Sequence, residues 1–235
     1  MFSSFSSSSY GLVNKKAGVA PPSLLTPFIY FKFENNLNNE GTSGAAALGL
    51  NIEYSTECIP SLGSYSTRFT GSTSATNYVY IPDDIPTPGW TGITIGFWVH
   101  PVLIGFITST NSHVFNIYSN NNTSLKLFLV QDKGDITKFR LGSDALNWFN
   151  LPHSTWSHVT ITGNINKKLN IYVNGVISRV ANANEPFLLV PENFISEFKI
   201  GRHVAATFNG YVDDFRVYDF QMDASQALEL YNNTI

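Results

Sequence analysis

The sequence predicts an all-β fold, an antiparallel two-sheet sandwich with one short helix near its C-terminal end. Three observations carry that prediction. Short apolar runs with period-two alternation recur at a spacing of roughly ten residues, separated by Asn-, Gly- and Ser-containing turns. Helical periodicity appears in one place, Ala224, Ala227, Leu228 and Tyr231, after Asp223 and Gln226 in the spacing of a capping box. At 235 residues the chain buries roughly 70% of its unfolded surface, so a core forms without disulfide or metal.

Residues 1–27 are rich in Ser and Pro and lack strand or helix period, which predicts a flexible N-terminal arm. Phe2, Phe5, Tyr10, Leu12 and Val13 are apolar enough for the arm to dock on a neighbouring copy instead, so self-association or assembly through the arm is the open alternative. The folded domain is expected over residues 28–235. Its first strand runs from Phe28 to Glu34 with apolar residues on both faces. Strands are expected at Tyr65–Thr70 and Tyr78–Ile81, and Pro82, Pro86 and Pro88 interrupt the sheet after them. Ile93, Ile95, Phe97 and Val99 alternate with Thr94, Gly96, Trp98 and His100 in a half-buried strand. Apolar runs follow at Ile104–Thr108, Val114–Tyr118, Leu125–Val130 and Ile136–Leu141. Leu169, Ile171 and Val173 lead into Asn174-Gly175, a dipeptide suited to a type I′ hairpin turn, and Val176–Val180 returns. Phe198–Gly201 supplies another short strand. Asn209-Gly210 reads as a tight turn before a strand over Tyr211–Tyr218, in which Val212 has the opposite parity to Phe215 and Val217. That mismatch places a bulge at Asp213-Asp214.

Composition excludes several classes of partner. Charged residues are 13% of the chain, against about 25% in an average domain, and aromatic residues reach 14%. A net charge of −3 without a basic run argues against nucleic acid or an anionic membrane surface. No apolar segment approaches the roughly 20 residues of a membrane span, and the N-terminus has neither a basic n-region nor an apolar h-region. The lone Cys58 makes no internal bridge.

Gly210-x-Val212-Asp213-Asp214-x-Arg216-Val217-Tyr218, followed by Met222, the capping Asp223 and Leu228-x-Leu230-Tyr231, resembles the end of LamG-like jelly-roll domains of the concanavalin A-like lectin and glucanase superfamily. Phe31-Lys-Phe-Glu34, Gly92 to Pro101, Trp156-Ser-His-Val159 and Leu169 to Gly175 are similar to successive strands of that family, in order, so the resemblance covers about residues 28 to 233. It implies a jelly-roll sandwich. His158, Trp98 and Trp156 are expected to be structural, with the tryptophans filling the space between the sheets.

Glucanases of the superfamily are similar to one another in a Glu-x-Asp-x-Glu or Glu-x-Asp-x-x-Glu strand motif, which sets nucleophile and acid/base about 5–5.5 Å apart on one face. This chain lacks it, and its five histidines show no metal or triad spacing. A non-catalytic role is therefore expected. Asn147 and Trp148, in what reads as a loop, suit stacking on a sugar ring with amide hydrogen bonds to its hydroxyls, although a loop aromatic tucked against the sheet edge is the favoured reading of Trp148. The Asp213-Asp214 bulge with Glu34 nearby is a candidate calcium site, since calcium takes six to eight hard oxygens and the resemblance implies acidic ligands from first and last strands. The structural alternative is that one Asp accepts backbone N–H groups at the bulge while the other meets Arg216 or solvent. Asn121, Asn122 and Asn232 open N-glycosylation sequons. The resemblance implies a recognition domain for a glycan or a protein surface, at an extracellular or virion surface; a structural component of a viral particle or surface assembly is the second expectation.

Overall fold

The computed structural model describes residues 26–71, 76–102, 111–119, 124–132, 134–135, 137–142, 148–164, 168–182, 194–203 and 206–235. The expected strand at Ile104–Thr108, nearly all of the N-terminal arm, and Asn147 lie outside them. Strands β1 (Ile29–Phe31), β2 (Leu48–Leu50), β3 (Glu53–Ser55), β4 (Ser66–Thr70), β5 (Tyr78–Ile81) and β6 (Ile85–Pro86) precede the long β7 (Gly92–Pro101). Next come β8 (Ser112–Ser119), β9 (Ser124–Gln131), β10 (Lys138–Leu141), β11 (Trp148–Asn150) and β12 (Ser157–Asn164). The hairpin β13 (Lys168–Val173) and β14 (Val176–Asn182) leads to β15 (Phe194–Ile200), β16 (Arg202–His203), β17 (Ala206–Thr207) and β18 (Asn209–Tyr218), and then to helix α1 (Ala224–Asn232).

Two sheets result. The first runs β14-β13-β12-β7-β18-β4-β3, with β1 also on β18; the second runs β11-β10-β9-β8-β15-β5-β2, with β6 on β15. Pairing is antiparallel except for a bridge from Thr207 to His113. Strand β18 organises the first sheet: one edge pairs along β7, while the other meets β4 through Asn209–Val212 and β1 through Phe215–Val217. The register shifts between Asp213 and Arg216, and Asp214 sits at φ 50°. The expected bulge is thus present, at the point where the neighbour changes from β4 to β1.

Alternation drives one residue set into the space between the sheets. Ile95, Phe97, Val99, Val159, Ile161, Ile171, Phe215 and Val217 come from the first, and Val79, Ile81, Phe115, Leu129, Phe139, Phe198 and Ile200 from the second, all buried. Phe215 lies at the centre, with ring centroids 5.3 Å from Phe97, 5.6 Å from Phe198 and 6.1 Å from Phe115. The hairpin turn is as expected: Asn174 and Gly175 have φ of 51° and 74°, and Val173 pairs with Val176. The capping box is also formed, Asp223 accepting from Gln226 N while the Gln226 side chain accepts from Asp223 N.

Four expectations are corrected. Trp98 and Trp156 do not fill the intersheet core: Trp98 alternates with Phe97 and Val99 to the outer face of the first sheet, beneath α1, and Trp156 is half-buried on that same face. Trp148 opens a strand, β11, paired with β10, rather than lying in a loop. Asn209-Gly210 begins β18 and makes no turn; the glycine is needed there for close approach, since a Cβ would stand 2.4 Å from His100 O. On α1 the buried stripe is Ala227 and Leu230, and Leu228 is exposed. Strands β2 and β3 were not expected from the sequence.

Candidate functional site

Each sheet has an outer face, and the two are finished differently. On the first sheet, Trp98, His158, Thr94 and Thr162 point outward and are covered by α1 and the segment that precedes it. Leu230 packs over Gly96, where a Cβ would come within 2.6 Å of it. Tyr231 lies 5.8 Å from Trp98 and 5.9 Å from His158, and Tyr218, Met222 and Leu230 form a small second apolar cluster. Burial holds the His158 imidazole neutral, its pKa lowered to about 3, with the Arg216 charge acting the same way.

Among the described residues no helix covers the second sheet, and Arg202 of β16 closes over only part of it, where Asn116 and His113 are buried. Opposite its core residues, alternation presents Tyr78 and Tyr80 of β5, Lys199 and Glu197 of β15, Asn116 and Tyr118 of β8, Phe128 of β9, Arg140 of β10 and Trp148 of β11. Register aligns Leu48, Tyr80, Lys199, Asn116 and Phe128 in one row across five strands, and His113, Val130, Arg140 and Trp148 in another. Tyr78 and Tyr80 have ring centroids 5.4 Å apart, and His113 stacks on Phe128 at 5.2 Å. Cations lie against three of the rings: Arg202 at 4.4 Å from Tyr78, Arg140 at 5.2 Å from Trp148 and Lys199 at 5.9 Å from Tyr118. Asn116 is fixed by His113 Nδ1 at 2.5 Å and by the carbonyl of Arg202. A band of half-buried rings with cations set between them can stack on flat apolar surfaces while exchanging hydrogen bonds with hydroxyl or carboxyl groups.

The same face bears on hydrolysis. Among the described strand residues of this face Glu197 is the sole carboxylate, and it is ion-paired with Lys199. A paired acid and nucleophile is not assembled there from described residues. Trp148, expected in a loop, thus lies on this sheet face; the other members carry no joint signal in the sequence because five further strands contribute them.

The three carboxylates proposed for a metal divide into two groups. Asp213 accepts from Asp214 N at 2.8 Å and from Ile59 N at 3.4 Å. Glu34 accepts from Ser64 N at 2.9 Å and Tyr65 N at 3.2 Å, so both carboxylates face the loop between β3 and β4. Burial above all, with the charges of Asp214 and Glu34, pushes the Asp213 pKa up to about 7. Asp214 faces Arg216 instead, at 2.8 Å and 3.2 Å, and Arg216 also donates to Tyr30 Oη at 3.0 Å. Burial raises the Asp214 pKa even against that arginine, and its Oδ2 is buried without a hydrogen bond. No group of three or more His, Cys, Asp or Glu arranged to hold a metal ion occurs among the described residues. No helix among them is long and apolar enough to cross a membrane. In the third sequon, Thr234 is buried and its hydroxyl donates to Tyr231 O at 2.8 Å.

Comparison with known proteins adds family and fold. A family model described as the concanavalin A-like lectin/glucanases superfamily matches residues 72–227. A search of curated protein sequences finds no match. Among solved structures, domain 4 of AbnA, a GH43 extracellular arabinanase from Geobacillus stearothermophilus, in complex with arabinotriose, superposes with a TM-score of 0.61 at 18% identity, over 88% of this chain and 98% of that one. The botulinum neurotoxin serotype D ligand binding domain in complex with N-acetylneuraminic acid gives 0.64 at 13% identity, over 88% and 50%. The binding domain of Paraclostridial Mosquitocidal Protein 1 gives 0.64 at 15% identity, over 88% and 52%. The chain thus spans about half the length of these toxin domains, and at such identities the likeness is one of fold.

Proposed function

The chain belongs to the concanavalin A-like lectin/glucanases superfamily, and from that premise we propose that it is a non-catalytic recognition domain that binds a glycan on the open outer face of its second sheet. The observation that carries the proposal is the aromatic and cationic band from Tyr78 and Tyr80 through Lys199 to Arg140 and Trp148. Sugar rings present C–H faces that stack on Trp148, Tyr78 and Tyr80, and hydroxyls that take hydrogen bonds from the arginines and the lysine. Asn147, which precedes Trp148, is proposed as a further contact. That two similar folds were determined with sugars bound supports the reading, as does the lone, lysine-paired Glu197. Calcium is proposed as a structural ion at the loop between β3 and β4, held by Asp213 and Glu34, where two carboxylates converge and one is strongly desolvated.

The test is a glycan array probed with the intact chain, followed by calorimetry on the best hits. Binding is expected to fall by at least about tenfold in Trp148→Ala and in Tyr78→Ala, about 1.4 kcal/mol each. Array signal that is unchanged in both variants, with their folding intact, removes this face as the site.

A further inference from the structure

A second cleft lies on the opposite side of the sandwich. The segment from Phe220 to Asp223, between β18 and α1, is pinned on the outer face of the first sheet by two threonines. Thr94 Oγ1 donates to Phe220 O at 2.8 Å and accepts from Met222 N at 2.9 Å, and Thr162 Oγ1 donates to Met222 O at 2.8 Å. Beside it stand the outward residues Asn170 and Tyr172 of β13. Between the two lies a cleft of about 310 Å³, lined by Asn170, Tyr172, Gln221, Met222, Asp223 and Ala224. That volume is at the lower end of small-molecule sites, roughly 300–1,000 Å³.

The lining is chemically one-sided. Four of its six residues end in hydrogen-bonding groups, two amides, a phenol and a carboxylate, while Met222 is fully buried and Ala224 offers a single methyl. An apolar ligand finds little to cover. Tyr172 is 3% exposed, and its oxygen is held by the Asn170 side chain. Burial, and after it the charge of Asp223, keeps the phenol in its neutral form, able both to donate and to accept. Asp223 Oδ1 is committed to the helix cap, accepting from Gln226 N at 2.9 Å, and its other carboxylate oxygen has no partner among the described residues. The negative charge disfavours an anion in spite of the nearby helix N-terminus, while the cap already partly satisfies that charge and weakens its pull on a cation.

We propose that this cleft binds one neutral monosaccharide residue, with two adjacent hydroxyls bridging the Asp223 carboxylate and the Asn170 amide and a third meeting Tyr172. A carboxylate and an amide that line one cleft match the donor and acceptor faces of a vicinal diol; strand β13 supplies the amide and the threonine-pinned segment the carboxylate, without reordering. The inference stands apart from the glycan face of the second sheet, since no residue is shared.

Amide shifts of the isotope-labelled full chain, titrated to tens of millimolar with the methyl glycosides of galactose, glucose, mannose and arabinose, decide the matter. Saturable shifts are expected at Asn170, Tyr172 and Ala224–Gln226 with at least one of the four. Asn170→Ala and Asp223→Asn should each weaken them by about tenfold or more; asparagine is itself a good N-cap, so the second variant leaves α1 in place. Tyr78→Ala and Trp148→Ala should leave these shifts unchanged, which separates this cleft from the glycan face. Silence at these amides with all four sugars, or shifts that persist in both cleft variants, overturns the proposal.

Discussion

The outer faces of the two sheets start from similar side chains and end in opposite states. The first presents Trp98 and His158, the second Trp148 and His113 with Phe128. Trp98 is 5% exposed and His158 1%, because α1 lies over them, its Leu230 seated on Gly96 and its entry segment bonded to Thr94 and Thr162. On the second face His113 is buried against Phe128, but Phe128 and Trp148 stay half-buried, and Trp148 faces Arg140. The side that becomes a second core and the side that no described helix covers are distinguished by a nine-residue helix, not by the strands themselves.

The sharpest way to break the contrast is to remove the helix's anchor. Leu230 is fully buried, so Leu230→Ala should cost about 2–5 kcal/mol in denaturant unfolding. A cost below about 1 kcal/mol would mean that the cover contributes little and the two faces are alike. The next effect is acid sensitivity. His158 is neutral in the folded protein, with a pKa of about 3, and takes a proton near pH 6.5 when unfolded. The unfolded state therefore binds more protons between these values, and stability falls as pH drops from about 6.5 toward 3, with a slope approaching 1.4 kcal/mol per pH unit. The stability difference between wild type and His158→Gln should change across that window and be flat above pH 7; a constant difference throughout would show that His158 takes up its proton alike in the folded and unfolded states.

Calcium tests the edge of the covered sheet. At a hundred times its Kd it should add about 2.7 kcal/mol relative to chelator, and Asp213→Asn should abolish the gain. Asp214→Asn should lower Tm with or without calcium, since Arg216 loses its partner. Equal Tm values in calcium and chelator would leave Asp213 and Glu34 as purely structural. The smallest expected effect is on the open face, where Trp148→Ala should change stability by about 1 kcal/mol or less while weakening glycan binding by at least about tenfold. A large loss of stability there would mark Trp148 as part of the fold.

Much of this architecture could be read from residues alone. Alternation located β7, β8, β9, β13 and β18; Asn174-Gly175 marked its hairpin, Asp223 and Gln226 marked the helix start, and the parity break at Val212 marked the bulge. Strands β2 and β3 escaped because Leu48-Gly49-Leu50 is an exposed edge segment with no buried face to impose a period. Alternation also reports only which residues share a side, not which side another layer covers, so Trp98 and Trp156 were assigned to the wrong face. Trp148 was read as a loop residue because the strand it opens is three residues long. The metal candidates were brought near one another in space, yet only the backbone explains why Asp213 and Asp214 diverge: the left-handed residue at the bulge aims the second toward Arg216 and Tyr30.

The position of β18 also bears on how the protein is made. It is the strand that joins β7, synthesised about a hundred residues earlier, to both β4 and β1, earlier still. Until Asn209–Tyr218 has left the ribosome, the first sheet is split into pieces that share no edge, and Phe215 is missing from the middle of the core. Such pairings between distant segments are slow to form and leave strand edges open to wrong partners in the meantime. Maturation of the domain is therefore expected to be late and abrupt, with nascent chains that stop before residue 209 depending on chaperones and those that pass residue 232 released as a closed sandwich.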